Sequence, residues 1–70
     1  MITMKDLGAF VAAVRRKQGV TQLQLSQAAN VGRRFVVEME DGKDTIQAGK
    51  LLHVMDVLGI NINLMEPLGV

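Results

Sequence analysis

Two short segments of helical periodicity, separated by almost nothing, constrain this chain more than any other feature. From Thr21 the residues Leu25, Ala28 and Ala29 fall at helical spacing, and from Arg33 to about Asp41 Phe35, Val36 and Met39 do the same. Asn30 tolerates a left-handed backbone and ends the first segment, so only Val31 and Gly32 remain before the second begins. Helices joined by so tight a turn must cross steeply, as in a helix-turn-helix. Small side chains at Ser26 and Ala29 let the pair approach closely.

The flanking segments complete a bundle. Met4, Leu7, Val11 and Val14, with Phe10 beside them, predict a helix from Met4 to Gln18, with Thr3 as N-cap and Gly19 just past its end. Thr21 and Gln24 have the spacing of a capping box at the start of the second helix. Gly42 stops the third. A fourth is expected over Ala48–Leu58 with Gly59 as its stop, and Thr45 to Gln47 leaves room for a further short turn, giving four to five helices. Ile60, Ile62 and Leu64 then alternate with Asn61, Asn63 and Met65, which predicts a strand closed by Pro67.

A chain of 70 residues makes one domain with a marginal core, and such domains usually add disulfides, a metal or a second subunit. The chain has no cysteine, and its one histidine, His53, cannot build a metal site alone, so no metal or other cofactor is expected. Oligomerisation remains. Ala48, Leu51, Leu52, Val54, Met55, Val57 and Leu58 cover more of the fourth helix than one core requires, and a lone strand lacks a partner. Both features predict a homodimer, with Val54, Val57, Ile60, Ile62 and Leu64 at the interface. The expected division is a helical domain at 1–59 and a dimerising strand and tail at 60–70.

No run of apolar residues is long enough to span a membrane, and the basic cluster Arg15-Arg16-Lys17 follows its apolar segment, the reverse of a secretory signal. A cytoplasmic protein is expected. With no Cys, Tyr or Trp, a single His and no glycine-rich phosphate loop, an enzyme is not. The net charge is +1, but it is polarised: residues 1–37 carry +5 and residues 38–70 carry −4. Such a chain could present one cationic face.

The stretch Gly19-Val20-Thr21-Gln22 through Asp41-Gly42-Lys43, with Leu25, Ala29, Val31, Phe35, Val36, Met39 and Glu40 within it, resembles the Xre/Cro/phage-repressor family. Weaker similarity extends over residues 4–59. Arg33-Arg34-Phe35, the Leu51-Leu52-x-Val54-Met55-x-x-Leu58-Gly59 ending and the terminal strand are most similar to HipB-like, or y4mF-type, antitoxins and transcriptional regulators. The resemblance implies an all-α, lambda-repressor-like bundle with a short C-terminal strand pairing across a dimer. The chain departs from the family at Gly32, where serine or threonine often caps the third helix, and at Ser26 and Asn30, where alanine and glycine are frequent.

In a helix-turn-helix the second helix of the pair lies in the major groove. On a helical wheel Phe35, Val36 and Met39 face inward, leaving Arg33, Arg34, Val37, Glu38 and Asp41 outward. Arginine can bond guanine O6 and N7 in parallel, Val37 can meet a thymine methyl and Glu38 can accept from cytosine N4. Arg34 and Glu38 can equally form an exposed i, i+4 pair. Gln22 resembles the family glutamine that contacts a phosphate, and Thr21, Gly32 and Lys43 are further phosphate candidates. Arg16 and Lys17 are read as complementing the helix dipole. The resemblance also pairs Arg15 with Glu40 across the helices.

A sequence-specific DNA-binding repressor acting on a pseudo-palindromic operator is therefore expected. The HipB resemblance adds autoregulation and binding of a HipA-like kinase toxin. Two alternatives stay open: a stand-alone Xre-type regulator without a toxin, and a protein-interaction or dimerisation module that does not bind DNA.

Overall fold

Residues 1–68 are described by a computed structural model, so the last two positions of the expected 60–70 segment lie outside the described residues. The helices are α1 (Met4–Lys17), α2 (Gln22–Ala28), α3 (Arg33–Glu40) and α4 (Ala48–Val57). Among the described residues there are four helices and no strand, and Thr45 to Gln47 adds no fifth helix.

Side-chain caps start the first two helices. Thr3 Oγ1 accepts from the Asp6 amide at 3.1 Å while Asp6 Oδ2 accepts from the Thr3 amide at 3.0 Å. Thr21 and Gln24 repeat the exchange at 3.0 and 2.9 Å. α3 and α4 begin at Gly32 and Gln47 without a side-chain cap.

All four helices end in one way. The amides of Val20, Val31, Lys43 and Ile60 reach back to the carbonyls of Arg15, Ser26, Glu38 and Met55, at 2.9 to 3.2 Å. Each is the long bond of a Schellman motif, which requires a left-handed residue just after the cap. Glycine supplies it three times and Asn30, at φ 54°, once. Asparagine reaches this region at little cost, so α2 stops without glycine.

α3 packs against both α1 and α2, and α2 also meets α4. Val11, Leu25, Val36, Met39 and Val54 have no more than 1 % of their surface exposed and form the centre of the core. Burying each such side chain stabilises the fold by roughly 1.5–3 kcal/mol. Ser26 and Ala29 are buried at the α2–α3 crossing, as their small size requires. Gly8 does for α1 what they do for α2. A Cβ on it would stand 2.2 Å from the Met39 carbonyl oxygen and 2.8 Å from that of Glu40, so α3 lies directly on the α1 backbone.

Two expectations are corrected. Phe10 is not with Leu7 and Val11 in the core but 54 % exposed, on the wall of a groove it shares with α4 residues. Val54 cannot meet a second subunit, because it is fully buried within its own chain. Within the single chain residues 60–67 carry no strand, and the strand expected there is one that pairs between two copies.

Candidate nucleic-acid interface

The position of α3 is fixed by one buried polar cluster. Arg15 Nε donates to Glu40 Oε2 at 2.6 Å and Nη2 to Oε1 at 3.0 Å, with the two side chains only 10 % and 5 % exposed. A third guanidinium nitrogen donates to the Val20 carbonyl at 2.9 Å. α1, α3 and the α1–α2 turn are thus joined through a single planar group, a geometry lysine cannot supply. Gln22 Nε2 adds α2, donating to Glu40 Oε1 at 3.0 Å. Among the described residues no buried side-chain polar atom lacks a partner.

Burial pushes the Glu40 carboxyl up, but the bonds from Arg15 and Gln22, with the charges of Arg15 and Arg16, outweigh it and hold the group below its usual range. The bond to Glu40 raises Arg15 against the opposing effect of burial. Both groups stay charged at neutral pH.

From this anchor α3 presents its other side to solvent. Arg33 is exposed and the Arg34 side chain is 89 % exposed, both at the first turn of α3. Val37 and Glu38 follow on the same side, half-buried. Glu38 Oε2 lies 3.5 Å from Arg34 Nε and 3.3 Å from Lys43 Nζ. Arg34 and Glu38 therefore form the i, i+4 pair that the sequence leaves open beside base contact, and Lys43 joins it from beyond the helix end.

Arg33 also lines a shallow depression of about 460 Å³ with Arg16, Thr21, Gln22 and Leu23. Thr21 has its hydroxyl and amide engaged in the capping box, and the exposed Gly32 offers only backbone. Gln22, expected to contact a phosphate, has its side-chain amide bonded to Glu40 while it still lines the depression beside Arg33. Arg16, read from the sequence as a partner of the α1 dipole, lines the same depression as Arg33. Its neighbour Arg15, turned inward, is the available signal, because the next residue on a helix points some way round from it.

The remaining apolar surface lies elsewhere. On α4, Leu51, Val54, Met55 and Leu58 are buried, whereas Leu52 and Val57 remain exposed. A groove of about 550 Å³ runs between α1, α4 and the C-terminal segment, with Leu7, Phe10, Leu52, Met55 and Ile62 among its walls. Ile60 packs on the core, Ile62 is about half exposed and Leu64 almost fully. Among the described residues no group of His, Cys, Asp and Glu could hold a metal, and no helix is long and apolar enough to cross a membrane.

No family model matches the chain. It is 45 % identical over 65 residues to the uncharacterized HTH-type transcriptional regulator y4mF of Sinorhizobium fredii, covering 93 % of this chain and 86 % of that protein. Among solved structures it is similar to HipB in a complex with an O4 20mer, with a TM-score of 0.84 and 17 % identity over 94 % of this chain and 93 % of that one. A HipA–HipB–O2–O3 complex contains a chain matched at the same TM-score, identity and coverage. At this identity the likeness to HipB is one of fold.

Proposed function

Since the chain belongs to the HTH-type transcriptional regulators of the y4mF type, we propose that it is a sequence-specific DNA-binding repressor that works as a homodimer. One observation carries the reading: Arg33 and Arg34 stand exposed at the start of α3, on a helix anchored from behind by Arg15 and Glu40. α3 enters the major groove, where Arg33 and Arg34 reach guanine edges and Val37 and Glu38 meet neighbouring bases. Arg16, Lys43 and the backbone at Thr21, Gln22 and Gly32 face the phosphates on either side. Residues 1–59 form the DNA-binding unit and residues 60–70 the dimerising segment. Residues 60–65 pair as strands between two copies, while Val57, Ile62 and Leu64 cover one another across the two-fold axis. The two α3 helices then address half-sites roughly 34–36 Å apart. Occlusion of a promoter in the cytoplasm follows from the occupied operator.

The test is a mobility-shift titration against salt. Duplex binding should weaken steeply with salt, by about 0.9 in log affinity per phosphate contacted and per tenfold change in concentration. Arg33→Ala with Arg34→Ala should cost roughly 1–3 kcal/mol of discrimination for each base the variant no longer reads. It should reduce affinity for a selected operator much more than for a random duplex. Equal weakening on both duplexes would show that the arginines contact only phosphates. Wild-type protein that binds no duplex would leave an interaction module in place of a repressor.

The fold match to HipB in a HipA–HipB complex favours a second role, restraint of a HipA-like kinase toxin by the same dimer. That extension would make the protein an antitoxin repressing its own operon. Co-purification with the product of a neighbouring kinase-like reading frame tests it, and absence of such a frame leaves the stand-alone regulator.

A further inference from the structure

We propose that Glu38 is a specificity gate on α3, holding Arg34 and Lys43 to itself until a base offers its carboxylate a hydrogen-bond donor. The inference deepens the DNA-binding reading and rests on it. One oxygen, Glu38 Oε2, is approached by Arg34 Nε at 3.5 Å and by Lys43 Nζ at 3.3 Å. The two cations flank α3, one from its first turn and one from beyond its end. Exposed pairs of this kind hold a helix only weakly. Their larger consequence is for the cations themselves: Arg34 cannot fully serve a base edge, nor Lys43 a phosphate, while a carboxylate lies between them.

Glu38 sits on the same side of α3 as Arg34 and remains about one-third exposed, so it approaches the duplex with them. Guanine and thymine show acceptors on their major-groove edges and repel a carboxylate, whereas cytosine N4 and adenine N6 donate to it. A wrong base is therefore penalised twice: the carboxylate is buried against acceptors, and it keeps its hold on Arg34 and Lys43. At the right base the carboxylate is satisfied by the amino group, which frees Arg34 for its guanine edge and Lys43 for the backbone. Discrimination then comes as much from weakened binding to random sequence as from strengthened binding to the operator.

The experiment uses an operator selected by the wild-type chain from a random-sequence duplex pool, with a scrambled duplex of the same composition. Affinities are measured against salt for wild type, Glu38→Gln and Glu38→Ala, and for Glu38→Gln combined with Arg34→Ala and Lys43→Ala. Both single variants should tighten binding to the scrambled duplex by about three- to tenfold at low salt and steepen the salt slope by up to about 0.9, the value of one added phosphate contact. The ratio of operator to scrambled affinity should fall. In the background lacking both cations, the tightening should largely disappear. Unchanged or weaker scrambled binding in the single variants overturns the gate. Full tightening in the background without Arg34 and Lys43 also overturns it, because net charge alone would then explain the gain. Failure of the DNA-binding reading would appear instead in the wild-type arm, as no operator recovered and no duplex retained.

Discussion

On the side of the domain built by α2 and α3, polar side chains are tied into clusters: Thr21 caps α2, Arg15 and Gln22 converge on Glu40, and Glu38 gathers Arg34 and Lys43. On the side built by α1, α4 and residues 60–64, large apolar side chains meet solvent, among them Phe10, Leu52, Ile62 and Leu64. The first side is finished within one chain, and its rigidity suits it to carry side chains to fixed positions. On the second, Phe10, Leu52 and Ile62 border one apolar groove, and a contiguous patch is the kind of surface by which chains meet partners. A 70-residue chain without disulfides has been given a precise polar face and an incomplete core.

The polar side is most vulnerable at Arg15. Arg15→Met would leave the Glu40 carboxylate buried without its counter-charge, with only the Gln22 amide beside it, at a cost of about 3–5 kcal/mol. A domain of this size has only a few kcal/mol more than that in total, at roughly 0.05–0.15 kcal/mol per residue. Thermal melting should show the variant largely unfolded or its midpoint lowered by more than about 10 °C. A wild-type midpoint would mean that the cluster is decoration. Acid titration probes the same group. The folded-state pKa of Glu40 is depressed, so its stabilising contribution is fully present above its ordinary value of 4.5 and is lost as the pH falls through the lower folded value. Below pH 4.5 wild-type stability should therefore drop more steeply than that of Glu40→Gln, which has no carboxylate to protonate.

The unfinished side yields differently. Leu64→Asp puts a charge on a side chain that is 92 % exposed in the single chain, so the helices of that chain should not notice it. If Leu64 is covered by a second copy, sedimentation should show the dimer weakened or abolished and the melting midpoint freed from its dependence on concentration. The stability withdrawn is about 2.7 kcal/mol at a protein concentration a hundredfold above the wild-type dissociation constant. A wild-type chain sedimenting as a folded monomer at micromolar concentration would remove the interface altogether. Operator affinity should fall with dimerisation, because one half-site contact then has to stand alone.

The two sides are also unequally legible in the sequence. Helix ends are plain, because Thr21, Asn30, Gly42 and Gly59 act through their own backbones and immediate neighbours. The inward arc at Val36 and Met39 follows from periodicity alone. What spacing does not give is direction across the fold. Gln22 looks like an outward residue at a helix start until Glu40, eighteen positions later, accepts from its amide. Phe10 sits at the edge of the apolar arc centred on Val11, about 100° round the helix, and that edge stays open to solvent. Gly8 carries no pattern at all; its reason is the Met39 carbonyl, which only the folded α1–α3 contact brings near. Val54 reads as an interface residue because α4 is apolar nearly all round, and a wheel does not say which apolar arc the chain itself will claim.

The smallest expected effect gives the clearest contrast, because the same chemistry occurs once on each side. Thr21 and Thr3 both cap a helix through a reciprocal bond to the residue three positions on. Thr21→Ala and Thr3→Ala should each lower stability by about 1 kcal/mol. Their consequences for DNA should differ. Thr21 holds the first turn of α2 beside Arg33 and Arg16, so fraying there displaces backbone amides expected to face a phosphate. Thr3 caps the start of α1, beside Ile2 and Asp6 on the apolar side. Duplex affinity measured where both variants remain folded should therefore fall several-fold for Thr21→Ala, on operator and scrambled duplex alike, and stay at the wild-type value for Thr3→Ala. An equal drop in the two variants would mean that affinity follows global stability, and that the two faces are not as separate as their construction implies.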